Sequence, residues 1–216
     1  MSGKVAIIGG TGNLGSALAW RLARAGRDVV IGSRTAESAE AKAAELGCGL
    51  TGMANAEAAA AADLVILTVP FAAQATTLEE IKRFVAGKIF VDTTVPLMPP
   101  KVMRVQLPPE GSAAAKAAAI LGAGVRVVSA FHTVAAHKLA QDSDVDCDIL
   151  VFGDEKAARA EVVSLANAIG LRGIHGGALV NAAAAEAMTS LLIFINKNYQ
   201  VDGAGIRITG DLKSFE

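Results

Sequence analysis

The 216-residue chain has little of what several classes of protein need. Its net charge is −1 and it contains no long basic run, which argues against nucleic acid as its main partner. Its two cysteines, Cys48 and Cys147, are far apart and form no CxxC pair, so we expect both to be ordinary buried thiols. No signal peptide precedes the first predicted strand at Lys4, so we expect a cytoplasmic protein.

Long uninterrupted hydrophobic runs are also missing, although 52% of the residues are hydrophobic, because much of the apolar material is alanine. The longest candidate membrane span, residues 176–195, contains four polar residues: Asn181, Glu186, Thr189 and Ser190. We therefore expect a buried helix and no membrane partner. The apolar residues 191–195 make a homodimer reasonable, although burial within one subunit would explain them equally well.

Side chains for acid, base or metal chemistry are few. The three histidines are isolated and no serine stands in a nucleophile elbow, so no hydrolytic triad is expected. His132 and His137 are five residues apart with no third ligand at a useful spacing, so we predict no metal site. His132 follows a predicted strand. Two roles stay open for it: a structural histidine, or one that hydrogen-bonds a ring carbonyl or a ribose.

The N-terminus carries a nucleotide-binding pattern. Residues 5–8 form the short apolar run of a buried parallel strand, and Gly10-x-Gly12-x-x-Gly15 follows at once. A helical repeat then begins, marked by Leu14, Ala17, Leu18, Leu22 and Ala25. In this context glycine permits the tight turn and a close approach to pyrophosphate, while the helix N-terminus offers N–H groups to the anion. The pattern predicts dinucleotide binding; a glycine-rich turn in another kind of α/β domain is the alternative.

The end of the second predicted strand, residues 28–31, indicates which dinucleotide is bound. Enzymes that prefer NAD usually carry an acid about 20 residues past the glycines, but this chain has Ser33 and Arg34 there. A hydroxyl and a planar guanidinium suit the 2′-phosphate of NADP. The alternative is that Arg34 is a solvated charge beside a helix that Thr35 caps. We predict NADP.

Short apolar runs alternate with alanine-rich helices along the chain, which predicts an α/β fold: a Rossmann-like, doubly wound parallel sheet with a smaller, closely packed C-terminal α/β part. We place the boundary after residue 131, with residues 1–131 as the NADP-binding domain and 132–216 as the second part. Further strands are predicted at 63–69, 88–92, 126–131 and 147–152, helices over about 155–169 and 178–196, a short segment at 171–175, and a proline-rich connection at 96–110. Ligands lie beyond the carboxyl ends of such strands, which directs attention to residues 68–70, 93–97 and 132–136.

Several motifs are much more specific than the glycine turn. They are Gly9-Gly-Thr-Gly-Asn-Leu-Gly15, Gly32-Ser-Arg34, Leu67-Thr-Val-Pro70, Val91-Asp-Thr-Thr-Val-Pro96, Val105-Gln-Leu-Pro-Pro-Glu-Gly-Ser112, Ala130-Phe-His132, Asp146-Cys-Asp148 and Gly203-Ala-Gly-Ile-Arg207. Over nearly the whole chain they resemble the NADP oxidoreductases that act on the deazaflavin coenzyme F-420. The resemblance implies hydride transfer between NADPH and coenzyme F-420, reversible in principle, with the deazaflavin in a cleft shared with the C-terminal part.

The glycine turn, the strand ends and the resemblance together select the predicted NADP-binding residues: Gly10, Thr11, Gly12, Asn13, Leu14, Gly15, Ser33, Arg34, Val69, Pro70 and Val95. Hydride transfer between two ring cofactors needs no protein nucleophile, because the reactive atoms belong to the cofactors. The protein must hold the reacting carbons about 3–3.5 Å apart, and we name His132, Ala136 and Gly205 as candidates for positioning the rings. An NADPH-dependent reductase of another small acceptor, an imine, a flavin or a ferric chelate, is the alternative function.

Two positions differ from the pattern of the family as we read it. The family often has an arginine near Ala183, in the segment that matches residues 181–186, and Ser190 stands where proline often follows the threonine that matches Thr189. An arginine at position 183 would be a hydrogen-bond donor near the second substrate, and this chain lacks it.

Overall fold

The computed structural model describes residues 3–213. Its strands are β1 (Val5–Ile8), β2 (Val29–Ser33), β3 (Thr51–Ala54), β4 (Leu64–Leu67), β5 (Ile89–Asp92), β6 (Arg126–Ser129), β7 (Asp148–Gly153) and β8 (Arg172–Gly177). Its helices are α1 (Asn13–Arg24), α2 (Ala36–Leu46), α3 (Asn55–Ala61), α4 (Phe71–Ile81), α5 (Ala113–Leu121), α6 (Ala136–Leu139), α7 (Lys156–Ala168) and α8 (Ala182–Tyr199), with single 3₁₀ turns at Lys82–Phe84 and Leu179–Asn181. The strands form one sheet in the order β3-β2-β1-β4-β5-β6-β7-β8.

Helices cover both faces of this sheet, which confirms the predicted Rossmann-like α/β fold. One face packs against α1, α2 and α7, and the other packs against α3, α4, α5 and the start of α8. In β1 the side chains of Val5 and Ile7 face the first layer, whereas Ala6 and Ile8 face the second. Burial on both faces explains why the central strands read as continuous apolar runs rather than as alternating ones.

The sheet departs from the parallel prediction at one pair, because β7 runs antiparallel to β6. A parallel connection normally needs a crossover helix, and the chain between β6 and β7 contains only the four-residue α6. Two residue pairs join these strands, Val128 with Gly153 and Ser129 with Phe152. Most of β7 therefore lies beyond the carboxyl end of β6, and β8 follows it in parallel. The extension forms a wall beside the edge where ligands are expected.

The sequence patterns did not reveal β3 or α3. β3 lies at the edge of the sheet and carries no apolar run. It packs closely on α2, since a Cβ atom at Gly52 would lie 2.2 Å from the backbone nitrogen of Glu40. The predicted start of α2 is confirmed, because the Thr35 hydroxyl accepts a hydrogen bond from the N–H of Ser38 at 3.3 Å.

Two expectations about burial need correction. Cys147 is buried, but Cys48 is exposed in the turn after α2. Cys48 lies between two glycines of positive φ and itself has a φ of 56°. The helix expected to be buried is buried on one face only, and Leu191 and Phe194 are 46% and 49% exposed. By length and composition alone, Leu179–Tyr199 could cross a membrane, and 33% of its apolar window is buried in the protein.

Candidate functional site

The three glycines of the N-terminal motif differ in what surrounds them. A Cβ atom at Gly10 would lie 2.7 Å from the carbonyl oxygen of Ile7, and one at Gly15 would lie 2.5 Å from Thr68 Oγ1. These two glycines allow the turn and helix to pack on the strands. A Cβ at Gly12 would meet only the carbonyl oxygen of Gly9, at 3.5 Å. The space over Gly12 is thus open, as a bound pyrophosphate would require.

Gly12 is also the N-cap residue of α1 and has no side chain to accept from the first N–H groups of the helix. Thr11, Asn13 and Leu14 surround it, partly or fully exposed. Together the helix start and the turn present N–H groups and the positive end of the helix dipole to the open side. This geometry suits a phosphate anion.

The turn is held in place by its neighbours. Gly9 has a φ of 73°, and a Cβ there would lie 2.6 Å from Val69 Cγ1, so Val69 packs directly on the turn. The N–H of Gly9 donates to Oδ1 of Asn55 at 3.3 Å. Asn55 is 3% exposed and begins α3. Sequence reasoning missed Asn55, because nothing local links an asparagine in an alanine-rich helix to a turn 46 residues earlier.

The end of β2 lies beside the glycine turn. The N–H of Gly10 donates to the carbonyl oxygen of Gly32 at 2.9 Å, immediately before Ser33 and Arg34. Ser33 is 7% exposed, whereas the side chain of Arg34 extends into solvent. Within residues 3–213, Arg34 makes neither an ion pair nor a hydrogen bond. Its guanidinium is therefore available to a ligand at this edge.

The ends of β4 and β5 continue the same edge. Two threonine hydroxyls bond the strands together here: Thr68 Oγ1 donates to Ile8 O at 2.9 Å, and Thr93 Oγ1 donates to Leu67 O at 2.8 Å. Val69 and Val95 follow these threonines, and Pro70 is the N-cap residue of α4. The strand-end residues predicted for NADP thus lie after adjacent strands, at the edge that holds the glycine turn.

A small cavity of about 130 Å³ lies between the chain after β6 and helix α8. It is lined by His132, Thr133, Val134, Ala135, Thr189, Leu192, Ile193, Asn196 and Ala204. Thr189 Oγ1 donates to the carbonyl oxygen of His132 at 3.0 Å, and Asn196 Oδ1 accepts from the N–H of Ala204 at 2.7 Å. The cavity is smaller than the roughly 300–1,000 Å³ of ordinary ligand pockets.

His132 is held inside this cavity wall. Its side chain is 7% exposed, and Nε2 lies 2.8 Å from Oγ of the fully buried Ser129. Burial lowers the pKa of His132 to about 3, so the imidazole is neutral at physiological pH. A neutral imidazole can orient a ligand by a hydrogen bond, but it does not bring a positive charge to the site.

The other two ring-positioning candidates occupy different surroundings. Ala136 begins α6, half-buried, next to the cavity residue Ala135. Gly205 follows Ala204, and a Cβ there would lie 2.7 Å from Cys147 Sγ, so its missing side chain serves packing against Cys147. A direct contact of Ala136 or Gly205 with a ring stays a prediction.

The C-terminal segment beside the cavity is anchored by two aspartates. Asp148 receives two hydrogen bonds from Arg172, at 2.7 and 2.6 Å, and one from the N–H of Ile208 at 2.5 Å. Asp146 pairs with Arg207. The motifs at 146–148 and 203–207 therefore meet in space, and their contacts hold Ala204 at the cavity.

Ala183 lines a different surface, an apolar groove formed also by Leu150, Phe152, Val180 and Met188. Residue 183 thus lies outside the lining of the His132 cavity.

Two buried acids lie behind the edge, and the sequence carried no signal for either. Asp92 ends β5 and accepts from Gln74 Nε2 at 2.6 Å and from the N–H of Thr94 at 2.9 Å. Complete burial raises its pKa to about 6, although both hydrogen-bond donors act to lower it. The second acid, Glu186 in α8, is 1% exposed, and burial raises its pKa to about 7.

Comparison with known proteins places this arrangement among redox enzymes. A family model described as NADP oxidoreductase, coenzyme F420-dependent, matches residues 4–96. The chain is 43% identical to an F420-dependent NADP reductase of Methanothermobacter thermautotrophicus, over 95% of this chain and 94% of that protein. It is 41% identical to a reductase of the same name from Methanocaldococcus jannaschii, over 95% of this chain and 98% of that protein. A solved structure, a putative F420-dependent NADP-reductase from Arthrobacter sp. FB24, superposes with a TM-score of 0.85 at 26% identity, over 96% of this chain and 100% of that one.

Proposed function

The chain belongs to the family of F420-dependent NADP reductases, and from that premise we propose how its residues share the transfer of a hydride between NADPH and coenzyme F-420. It is an NADP-dependent oxidoreductase with these two coenzymes as co-substrates. The nicotinamide and deazaflavin rings supply the hydride chemistry when bound. The residues of the protein bind the two coenzymes, align them and exclude water.

In our proposal the glycine turn and the end of β2 hold NADP. Gly10, Thr11, Gly12, Asn13, Leu14 and Gly15 form the pyrophosphate cradle. The open space over Gly12 supports this assignment, since a side chain there would clash with no protein atom. Ser33 and Arg34 bind the 2′-phosphate, because a free guanidinium beside the turn can form charge-assisted hydrogen bonds to it. Val69, Pro70 and Val95 contact the nicotinamide half.

The His132 cavity takes the deazaflavin edge in this proposal. Its lining combines apolar side chains with the polar groups of Thr189 and Asn196 and a neutral imidazole. Such a lining can orient a planar ring by shape and a few hydrogen bonds. The glycine turn and the cavity lie along one edge of one sheet, and this placement is what best supports transfer between two bound rings.

The decisive experiment is a direct spectrophotometric assay of hydride transfer between the two coenzymes. Purified protein with NADPH should reduce oxidised coenzyme F-420 and bleach its visible absorbance, and it should run backwards with NADP and the reduced coenzyme. Absence of turnover with coenzyme F-420, together with NADPH oxidation by a flavin, an imine or a ferric chelate, would instead assign the alternative acceptor class.

We further propose that residues 1–131 bind NADP and that residues 132–216 bind the deazaflavin and contribute to a homodimer interface. The exposed apolar side chains of Leu191 and Phe194 support an interface on α8. We also propose a cytoplasmic enzyme with small redox coenzymes, rather than nucleic acid or membrane, as its partners. Two free cysteines support a reducing compartment.

A further inference from the structure

Glu186 joins two helices through its buried carboxylate. Its Oε2 accepts from the N–H of Ala113 at 2.6 Å, and its Oε1 accepts from the N–H of Ala114 at 3.0 Å. These N–H groups belong to the first two residues of α5, which the helix cannot bond internally. Glu186 lies 73 residues away in α8. Its carboxylate therefore connects the start of α5 to the side of α8.

The third N–H group of α5 has a separate partner. Ser112, the N-cap residue, accepts from the N–H of Ala115 at 2.9 Å. Ser112 thus caps the helix locally, whereas Glu186 caps it from another element. Removing either one leaves α5 short of hydrogen bonds, but only the loss of Glu186 removes hydrogen bonds that join α5 to α8. The two residues form a natural pair of variant and control.

Both elements joined by Glu186 continue into the proposed site. Thr189 follows Glu186 by three residues, so the two side chains lie on the same side of α8, and Thr189 bonds to His132 in the cavity wall. α5 follows the segment 93–112, which leaves β5 and contains Val95. A second connection joins the two ends of this segment. Gln74 Nε2 donates to Asp92, just before the segment, and to the carbonyl oxygen of Ala113, just after it, at 2.9 Å.

We propose that Glu186 is a positioning residue for hydride transfer: by bonding α8 to the start of α5, it sets the position of the deazaflavin cavity relative to the NADP-binding strand ends. This inference rests on the proposed function. Glu186 touches neither ring in this account and acts through the two helices. Because transfer depends on alignment, a displacement of about 1 Å can cost on the order of 10²-fold in rate.

The hydrogen bonds from Ala113 and Ala114 to Glu186 depend on whether the carboxyl group of Glu186 is ionised. An ionised carboxylate accepts both N–H groups, while a protonated one has an oxygen that is now a donor. The charge that acts on Glu186 is that of Asp92, a like charge that adds to the effect of burial. Lys116, also on α5, directs its ammonium over the ring of Phe71 at 4.8 Å. Within residues 3–213, no ion pair includes Glu186.

Steady-state kinetics of E186Q and E186A, beside S112A, test the proposal. We expect E186A to lower kcat/KM for coenzyme F-420 by about 10- to 100-fold, and E186Q, which keeps one acceptor oxygen, by less. The dissociation constant of NADPH, measured by fluorescence in the absence of coenzyme F-420, should stay within about twofold, since the glycine turn is untouched. S112A should lower the melting temperature and leave the kinetic constants unchanged.

The pH dependence separates positioning from a purely structural role. The ratio of wild-type to E186Q activity should rise between pH 6 and pH 8, and the titration of the substrate cancels in this ratio. The protection factors of the Ala113 and Ala114 amides compare the observed exchange with the base-catalysed exchange of an unfolded chain at the same pH. Measured by NMR in the enzyme without coenzymes, they should rise over the same range in the wild type and not in E186Q. The proposal would be overturned if all three variants had lower melting temperatures but an unchanged kcat/KM for coenzyme F-420, and if the ratio of wild-type to E186Q activity did not change with pH.

Failure of the proposed function would look different. Wild-type protein that binds NADPH but does not reduce coenzyme F-420 would refute the assigned reaction. The amide exchange measurement would then still decide the link: protection factors of Ala113 and Ala114 that do not change with pH in the wild type would overturn it on their own.

Discussion

Ser129 and His132 form a buried pair at the end of β6, with Ser129 Oγ 2.8 Å from His132 Nε2. Ser129 is the last residue of β6, and His132 follows it by three residues, where the chain has left the sheet. Burial keeps the imidazole neutral by lowering its pKa, and the hydrogen bond with Ser129 fixes the ring in the wall of the cavity. His132 is thus neutral near pH 7, and the role we propose for it is to orient a ring rather than to act as an acid or a base.

The first prediction concerns His132. H132A should lower kcat only modestly, below the roughly 10²–10⁴-fold that loss of a proton-transfer residue costs. Because burial holds the pKa of His132 at about 3, its ionisation should not appear in the wild-type pH–rate profile between pH 5 and pH 9. If the wild-type pH–rate profile has an inflection near pH 6.5 that is missing from the profile of H132A, the imidazole of His132 is not neutral throughout this range.

Arg34 should decide between NADP and NAD. R34A loses charge-assisted hydrogen bonds to the 2′-phosphate, which cost about 1.5–3 kcal/mol, or roughly 10- to 150-fold in affinity. Titration should show a weaker affinity for NADPH and little change for NADH. Arg83, exposed in the 3₁₀ turn before β5, is the matched control, and R83A should bind both nucleotides as the wild type does. Equal weakening of both nucleotides in R34A would refute the assignment.

The glycines of the turn should separate binding from folding. G12V should fold and bind neither NADPH nor NADH, because its side chain would enter the open space over the turn. G15V should instead lose stability, since its Cβ would lie 2.5 Å from Thr68 Oγ1 and 2.7 Å from the Cα of Gly10. Thermal melts and nucleotide titrations distinguish the two. Near-normal NADPH affinity in folded G12V would place the phosphate cradle elsewhere.

The buried acids should make the free energy of unfolding fall as the pH rises. The pKa of Glu186 is raised from 4.5 to about 7, so between these values the folded protein holds a proton that the unfolded chain has lost. This contribution amounts to roughly 3 kcal/mol that is present at pH 4.5 and lost by pH 7. Asp92, raised from 3.8 to about 6, acts in the same direction.

Urea unfolding of the wild type and E186Q at pH 5 and pH 8 measures this effect. The decrease with pH should be smaller in E186Q. Glu80, exposed on α4, provides the control, because E80Q should keep the wild-type decrease. Equal decreases in the wild type and E186Q would show that Glu186 ionises normally.

The exposed face of α8 should carry the dimer contact. Phe194 is 49% exposed, and F194D would place a charge in an apolar interface at a cost of several kcal/mol. Light scattering after size exclusion should find a dimer for the wild type and a monomer for F194D. Tyr199, 75% exposed at the end of the same helix, is a control position outside residues 191–195. A monomeric wild type would refute the interface.

The sequence alone determined the features whose causes are local. The run at residues 5–8 followed by Gly10, Gly12 and Gly15 predicts a strand, a turn and a helix, because the apolar run, the glycine spacing and the helical repeat lie next to one another in the sequence. The position of Ser33 and Arg34 at the end of β2 was predictable for the same reason. The proline-rich connection was predicted correctly for the same reason, because proline restricts its own backbone.

Only the tertiary structure decided the features that depend on long-range contacts. The antiparallel β7 follows from how the chain returns after β6, and the cavity joins His132 to Thr189 across 57 residues. Glu186 reads as an ordinary polar residue in an alanine-rich helix until the fold brings it to the start of α5. Hydrogen bonds and burial of this kind depend on the packing of distant elements. No local pattern carries them, and for that reason the strand, turn and helix at the N-terminus were predictable from the sequence while the hydrogen bonds of Glu186 were not.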